Sequence, residues 1–166
     1  MNDLALLTSR LVLGGSMFAH GAQKQYGWFG GPGPEKAAGF FESIGIKPGR
    51  EMATAAATTE MTAGVLMILG LGGAIGPALK ISTMIVAAAT VHAKNGYFAQ
   101  QNGAELNAIY SAAGLALAGG GYGPISLDAL FKIETVRQPW FTTLALAGGV
   151  IGAFAILAGR EMPAES

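Results

Sequence analysis

The ionisable residues of this 166-residue chain that could take part in chemistry lie inside otherwise apolar segments. His20 and Lys24 are four residues apart, which places both side chains on one face of a helix. Glu60 lies inside a second apolar segment, about 13 Å from the start of that segment if the segment is helical. A carboxylate at that depth is costly unless it is paired or protonated. We therefore expect Glu60 to face a bundle interior and to pair with Arg10 or His20, as a functional carboxylate or as a purely structural link.

More polar residues lie at one end of the apolar segments. If these segments span a membrane, that end is the membrane face that holds the loop of residues 27–50, here called face A. His92 and Asn95 close a third apolar segment at face A, and Glu105 begins a fourth. Interfacial charges are ordinary, so a solvated role is the simpler explanation for Glu105 and for Lys24 taken alone. The clustering of these residues with both histidines of the chain nevertheless predicts a polar site near face A.

Metal-dependent chemistry has little support in the sequence. His20 and His92 could serve as axial haem ligands from facing helices, but nothing else in the chain favours a porphyrin, and haem is not expected. A metal site built from the two histidines with Glu60 and Glu105 has equally little support, so no metal site is predicted. The chain has no cysteine, which excludes disulfides, cysteine-ligated clusters and a thiol nucleophile.

The composition indicates the environment that must hold these residues. Charged residues make up only 12% of the chain, against about 25% in soluble domains. Hydrophobic residues reach 51%, the net charge is zero and the mean hydropathy is +0.44. These values argue against a disordered chain, a soluble enzyme and a basic nucleic-acid binder. An integral membrane protein remains.

Five apolar segments are candidate transmembrane helices, since a span needs about 20 mostly apolar residues. They cover residues 4–26, 51–71, 75–92, 104–121 and 139–159. Between the first two, Ala37, Phe40, Phe41 and Ile44 recur at helical spacing after Pro34 and predict a short amphipathic helix in the interface. Six basic residues on the side of face A against four on the other side slightly favour face A as cytoplasmic.

Small residues recur every four positions in the last two segments and would let helices approach closely. They are Ala112, Ala116 and Gly120 in the fourth segment, and Gly148 and Gly152 in the fifth. Packing within the bundle is the simpler explanation for the fourth segment. For the fifth, packing within the bundle and docking of another subunit are balanced.

Several motifs make the sequence resemble the DoxX family of small bacterial membrane proteins. They are Arg10-Leu-Val-Leu-Gly, Ala19-His20-Gly21-x-x-Lys24, Gly27-Trp28-Phe29-Gly30-Gly31-Pro32-Gly33, Glu60, Val91-His92-x-x-Asn95-Gly96-Tyr97-Phe98, Gly103-x-Glu105 and Tyr122-Gly-Pro-Ile-Ser126-Leu127-Asp128. The resemblance implies an all-α fold, with a four-helix membrane domain over residues 1–130 that includes the interfacial loop 27–50. Residues 131–166 depart from that pattern and add a linker and a fifth, C-terminal span.

The resemblance also implies a link to redox chemistry, because the family includes a subunit of thiosulfate:quinone oxidoreductase. We therefore expect a multi-pass subunit of a respiratory, quinone-linked or photosynthetic complex in the bacterial cytoplasmic (inner) membrane. By itself the chain is not expected to be an enzyme or to hold a covalent cofactor. The candidate catalytic residues are Glu60, His20 and Lys24, and the candidate contacts to a quinone headgroup or lipid are His20, Lys24, His92, Asn95 and Glu105.

Two other functions remain open from the sequence. The protein could be a purely structural accessory subunit, which binds partner subunits through Gly148 and Gly152 of the fifth helix. It could also be a small transporter, with Glu60 as its proton-coupled site. In each case the lipid bilayer is the expected environment, and no nucleic-acid partner is expected.

Overall fold

The computed structural model describes residues 3–161, and in that range the secondary structure is entirely helical. The helices are α1 (Asp3–Tyr26), α2 (Gly33–Ser43), α3 (Gly49–Leu69), α4 (Ile75–Ala87), α5 (Glu105–Gly120), α6 (Leu127–Leu130) and α7 (Pro139–Ala158). The predicted all-α fold is confirmed, including the additional C-terminal helix. The division at residue 130 stays a prediction, and residues 1, 2 and 162–166 of the predicted ranges lie outside the described residues.

Three of the described helices are long and apolar enough to cross a membrane: Gly49–Leu69, Ile75–Asn95 and Pro139–Ala158. The second of these is α4 with its continuation, a wider π-helical turn over Ala88–His92 and a 3₁₀ turn over Ala93–Asn95. α1 has 24 residues but carries several charges, and α5 has only 16 residues. Both pack against the apolar helices and complete the bundle.

α1 and α3 pack closely because small residues meet where the two helices touch. A Cβ added to Gly14 would lie 2.7 Å from the carbonyl oxygen of Gly64, and one added to Gly21 would lie 2.5 Å from that of Ala57. The apolar core continues from this contact through Leu6, Leu13, Met17, Ala63, Met67, Leu117 and Tyr122. This contact fixes the relative position of His20, Lys24 and Glu60.

α4 packs against α3, α5 and α7. Gly114 of α5 packs against Ile81, and Gly149 of α7 packs against the backbone of Ala78. α7 therefore belongs to the bundle and is not a detached anchor. Its outer side remains apolar and exposed, as expected for contact with lipid, with Leu144, Ile151 and Phe154 between 60% and 68% exposed.

Packing of the α5 stripe within the bundle, the simpler of its two explanations, is wrong, and docking of another subunit against it stays a prediction. Ala112, Ala116 and Gly120 lie on the exposed side of the helix, whereas Gly114 and Leu117 are buried. α5 turns this way because Gly114 makes room for Ile81 and Leu117 joins the apolar core. The small and aliphatic residues of α5 carry no pattern that would indicate its buried face, which Asn107 shares with Gly114.

The membrane face opposite face A is closed by the segment around α6. Both carboxylate oxygens of Asp128 accept hydrogen bonds from the turn before α4, at 2.8 Å from the amide of Gly72 and 2.7 Å from that of Gly73. Arg10 is buried here and donates to the carbonyl oxygen of Tyr122 at 3.1 Å. Arg10 therefore does not pair with Glu60, because its guanidinium is hydrogen-bonded to Tyr122 at the opposite end of the bundle.

At face A the end of α7 is fastened to the loop between α2 and α3. The Arg160 guanidinium donates to the carbonyl oxygen of Ile44, and the Glu161 amide donates to that of Gly45 at 2.8 Å. Lys47 forms an ion pair with Glu161 at 2.7 Å. The hydrogen bond and charge of this carboxylate raise the pKa of the Lys47 ammonium. Gly45 has a φ of 79° and touches Glu161, so a side chain here would be strained and would clash.

Candidate functional site

A cavity of about 720 Å³ lies between the helices, and α1, α2, α3, α4, α5 and α7 all contribute to its wall. Most of the lining is apolar. The ionisable and amide side chains that line it come from α1, α3, α4 with its π-helical continuation, α5 and the loop before α5. They are His20, Lys24, Glu60, Lys80, His92, Asn102 and Asn107, with Tyr110 beside them. A mostly apolar cavity with a few converging polar groups is the usual form of a small-molecule site.

An ion pair between Lys24 and Glu60 joins α1 to α3 within this cavity. Lys24 Nζ lies 2.6 Å from Glu60 Oε2 and 3.4 Å from the carbonyl oxygen of His20. The carboxylate side chain is 9% exposed and the lysine side chain 23%. Glu60 faces the bundle interior as predicted, but its partner is Lys24 and not Arg10 or His20. The contact between α1 and α3 brings the Lys24 ammonium over the carboxylate.

Lys80 is the residue that sequence analysis missed. It is 1% exposed, and its Nζ lies 4.3 Å from the ring centroid of Tyr110, a cation–π contact. Within residues 3–161 no carboxylate forms an ion pair with it and no side-chain hydrogen bond from Nζ is present, although the Glu60 charge acts on it. A lysine near the start of a span normally extends its ammonium to the interface, so Lys80 was counted with the interfacial charges and not with the site residues. The available signal was a cation five residues inside an apolar segment.

The other predicted residues divide into two groups. His92 lines the cavity, and its Nδ1 lies 2.9 Å from the carbonyl oxygen of Asn102. Asn95 and Glu105 do not line it: Asn95 donates to the same oxygen at 3.2 Å, and Glu105 accepts from the amide of Ala99 at 2.8 Å. Asn95 and Glu105 therefore shape the loop between α4 and α5. The structure brings His20, Lys24, Glu60 and His92 to one cavity.

Metal ligands do not cluster in the part of the chain that the structure describes. No group of three His, Asp or Glu residues is close enough to hold an ion there. Glu105, considered above as a ligand, is committed to a backbone amide. The groups that determine the chemistry of the cavity are therefore its ammonium and carboxylate groups.

The DoxX family model matches residues 5–93, which is just over half of the chain. The chain belongs to the DoxX family. No curated protein and no solved structure matches it. The matched range runs from α1 to the π-helical turn, so it contains Lys24, Glu60, Lys80 and His92, whereas α5, α6 and α7 lie beyond it.

The cavity of this DoxX protein has an excess of positive charge. Lys24 and Lys80 bring two ammonium groups, and Glu60 brings one carboxylate. Lys80 can donate hydrogen bonds to an electron-rich oxygen, since an ammonium has donors and no acceptor. Glu60 accepts a hydrogen bond from Lys24, and a carboxylate is a group that can take up a proton. The arrangement therefore suits a ligand that has an apolar body and acceptor oxygens.

Proposed function

We propose that this protein is a membrane subunit of a redox system in the bacterial inner membrane and that its cavity binds a quinone headgroup. The observation that supports the proposal is the buried Lys80, which belongs to the wall of a large, mostly apolar cavity and places its ammonium over the Tyr110 ring. A quinone ring is apolar and carries two carbonyl oxygens that need donors. In an apolar surrounding, a charged donor binds such an oxygen more strongly than a neutral donor does.

Each polar group of the cavity has a role in this proposal. Lys80 donates to one quinone oxygen and stabilises the negative charge that grows there when the ring receives electrons. Reduction to the quinol takes two electrons and two protons, and Glu60 passes protons that arrive along Lys24 from face A. The electrons come from a partner subunit, because this chain has no cysteine that could hold an iron–sulfur cluster. By itself the protein is a binding subunit and not an enzyme.

The proposal is tested by replacing Lys80 with methionine and measuring how tightly the purified protein binds a tail-less benzoquinone. We expect the dissociation constant to rise about tenfold or more, since a hydrogen bond from a charged donor contributes about 1.5–3 kcal/mol. Thermal stability should stay equal or rise, because a buried ammonium is replaced by an apolar side chain of similar volume. Lys94→Met, at an exposed site on face A, is the matched control.

Unchanged affinity in Lys80→Met would contradict the proposal. A variant that loses stability and affinity together would indicate that Lys80 supports the fold and does not contact a ligand. The two measurements therefore separate binding from structure.

Membership in a larger complex is tested by purifying the tagged protein in a mild detergent. We expect a redox subunit to co-purify in stoichiometric amount, and mass spectrometry identifies it. A monodisperse protein without companion would favour a self-contained transporter in which Glu60 couples to protons.

A further inference from the structure

One flank of α7 lines the cavity without an ionisable or amide side chain. Ala145, Gly148, Gly152 and Ile156 follow one another at helical spacing along this flank, and all four belong to the cavity wall. The neighbouring wall is formed by α2 and the first half of α3, through Phe40, Phe41, Ile44, Met52, Ala55 and Ala56. These residues are apolar or lack a polar side chain. The cavity therefore has a polar part at α1, α3, α4 and α5 and an apolar part along α2 and α7.

The glycines of this flank are not explained by packing within the chain. A Cβ added to Gly149 would lie 2.6 Å from the carbonyl oxygen of Ala78, so that glycine permits the contact between α7 and α4. A Cβ added to Gly148 or Gly152 would meet no atom within 4 Å. These two positions leave space beside the cavity where larger residues would fit.

The apolar part of the cavity has a defined shape because α7 is held near its middle and just beyond its C-terminal end. Gly149 packs on α4, and Arg160 and Glu161 are hydrogen-bonded to the α2–α3 loop at Ile44 and Gly45. α2 and α7 therefore remain at a set distance. The buried Lys80 ammonium in the polar part is a second, independent indication that the cavity receives a ligand.

We propose that the apolar tail of the ligand lies between α2 and α7, against Gly148 and Gly152. The inference rests on the proposed quinone site and names the ligand more closely, as a quinone with a long apolar tail. α7 lies beyond the residues that match the family model. In this protein the additional helix is thus a wall of the binding site and sets which tails the site accepts.

The test compares two benzoquinones that share a headgroup, one without a tail and one with a long isoprenoid tail, bound to purified full-length protein. Wild type should bind the long-tailed quinone more tightly. Gly152→Phe should weaken that binding about tenfold, which corresponds to about two buried methylene groups, and should change binding of the tail-less quinone less than twofold. Gly119→Phe is the matched control, because Gly119 also has no atom within 4 Å of an added Cβ but lies outside the cavity wall.

Each other outcome has a defined meaning. Equal weakening of both quinones, or of neither, in Gly152→Phe would overturn the assignment of the tail. A wild type that binds both quinones equally would leave the headgroup site standing and would remove the tail site. A wild type that binds neither would overturn both proposals. Gly148→Leu repeats the test at the second glycine and decides it if Gly152→Phe does not fold.

Discussion

Single residues carry the polar chemistry of this DoxX protein, and the Lys24–Glu60 ion pair has the clearest surroundings. Its carboxylate is buried and its ammonium is partly exposed. Removing one partner of a pair at that depth costs more than removing one partner of an exposed pair, because the remaining charge is poorly solvated and has no counter-ion. The pair therefore also holds α1 against α3, beside its proposed role in proton transfer.

Glu60→Gln should lower the free energy of unfolding by about 1–3 kcal/mol, between the values for exposed and for buried pairs. The loss arises because Lys24 keeps its charge in a partly apolar surrounding without a counter-ion. Denaturant unfolding in detergent micelles measures it. The double variant Lys24→Met, Glu60→Gln should recover part of the loss, and Lys36→Met on exposed α2 is the control. A double variant less stable than Glu60→Gln would contradict this account.

The residues of the site were predictable where an ionisable side chain lies inside an otherwise apolar segment. His20, Lys24, Glu60 and His92 were all named in this way and line the cavity. The partner of Glu60 was not predictable, because Arg10, His20 and Lys24 lie on nearly the same face of one helix and only the offset of α1 along α3 decides between them. Side-chain direction likewise concealed Lys80, whose amino group points inward to Tyr110.

At the scale of elements, close contact between α1 and α3 depends on glycine. Gly14→Ala should lower the free energy of unfolding by about 1–3 kcal/mol, because the new Cβ would overlap the Gly64 carbonyl oxygen and the helices must separate. Gly15→Ala is the matched control at the next position, where an added Cβ meets nothing within 4 Å. It should be neutral or stabilise the helix by up to about 1 kcal/mol. Equal effects of both substitutions in thermal unfolding would argue against this contact.

The turn between α3 and α4 is held by one carboxylate, that of Asp128. Asp128→Ala leaves the amides of Gly72 and Gly73 without their acceptors in a partly buried turn, at a cost of about 1–3 kcal/mol for each amide that stays unpaired. Asp128→Asn keeps one acceptor oxygen and should lose about half as much. Chemical denaturation measures both. An Asn variant as unstable as the Ala variant would show that charge, and not hydrogen bonding, holds this turn.

The existence of the elements followed from apolar length and turn residues. The short helix predicted from the residues after Pro34 forms, as α2. The rotation of α5 was not predictable, because a membrane helix is apolar on the lipid side and on the protein side alike. The π-helical turn at Ala88–His92 has no signal in residue type, and it places Thr90 and His92 in the cavity wall.

For the whole molecule, burial changes the count of exposed basic residues at the two faces. Arg10 and Lys80, counted from sequence on the side opposite face A, are buried in the bundle. That side then keeps Lys132 and Arg137 as its exposed basic residues, against Lys36, Lys47, Arg50 and Lys94 at face A. The excess at face A is two basic residues, as in the sequence count, so the positive-inside rule still favours face A as the cytoplasmic face.

This topology is testable without background, because the chain has no native cysteine. In intact cells, Lys132→Cys should react with a membrane-impermeant maleimide and Lys36→Cys should not. Both should react after permeabilisation, which serves as the control. The reverse pattern in intact cells would place face A outside.

The fastening of α7 at face A has a consequence for biogenesis. Arg160 bonds to a residue 116 positions earlier, so the site stays open to the bilayer until this distant part of the chain has been synthesised and inserted. Closing a loop of that length has a conformational entropy cost, and contacts between such distant residues form slowly. Until α7 is inserted, a lipophilic molecule can enter the cavity from the bilayer, on the side of α2 where α7 later packs. We therefore expect the proposed quinone to be loaded during membrane assembly, before the insertion of α7 closes this side of the cavity.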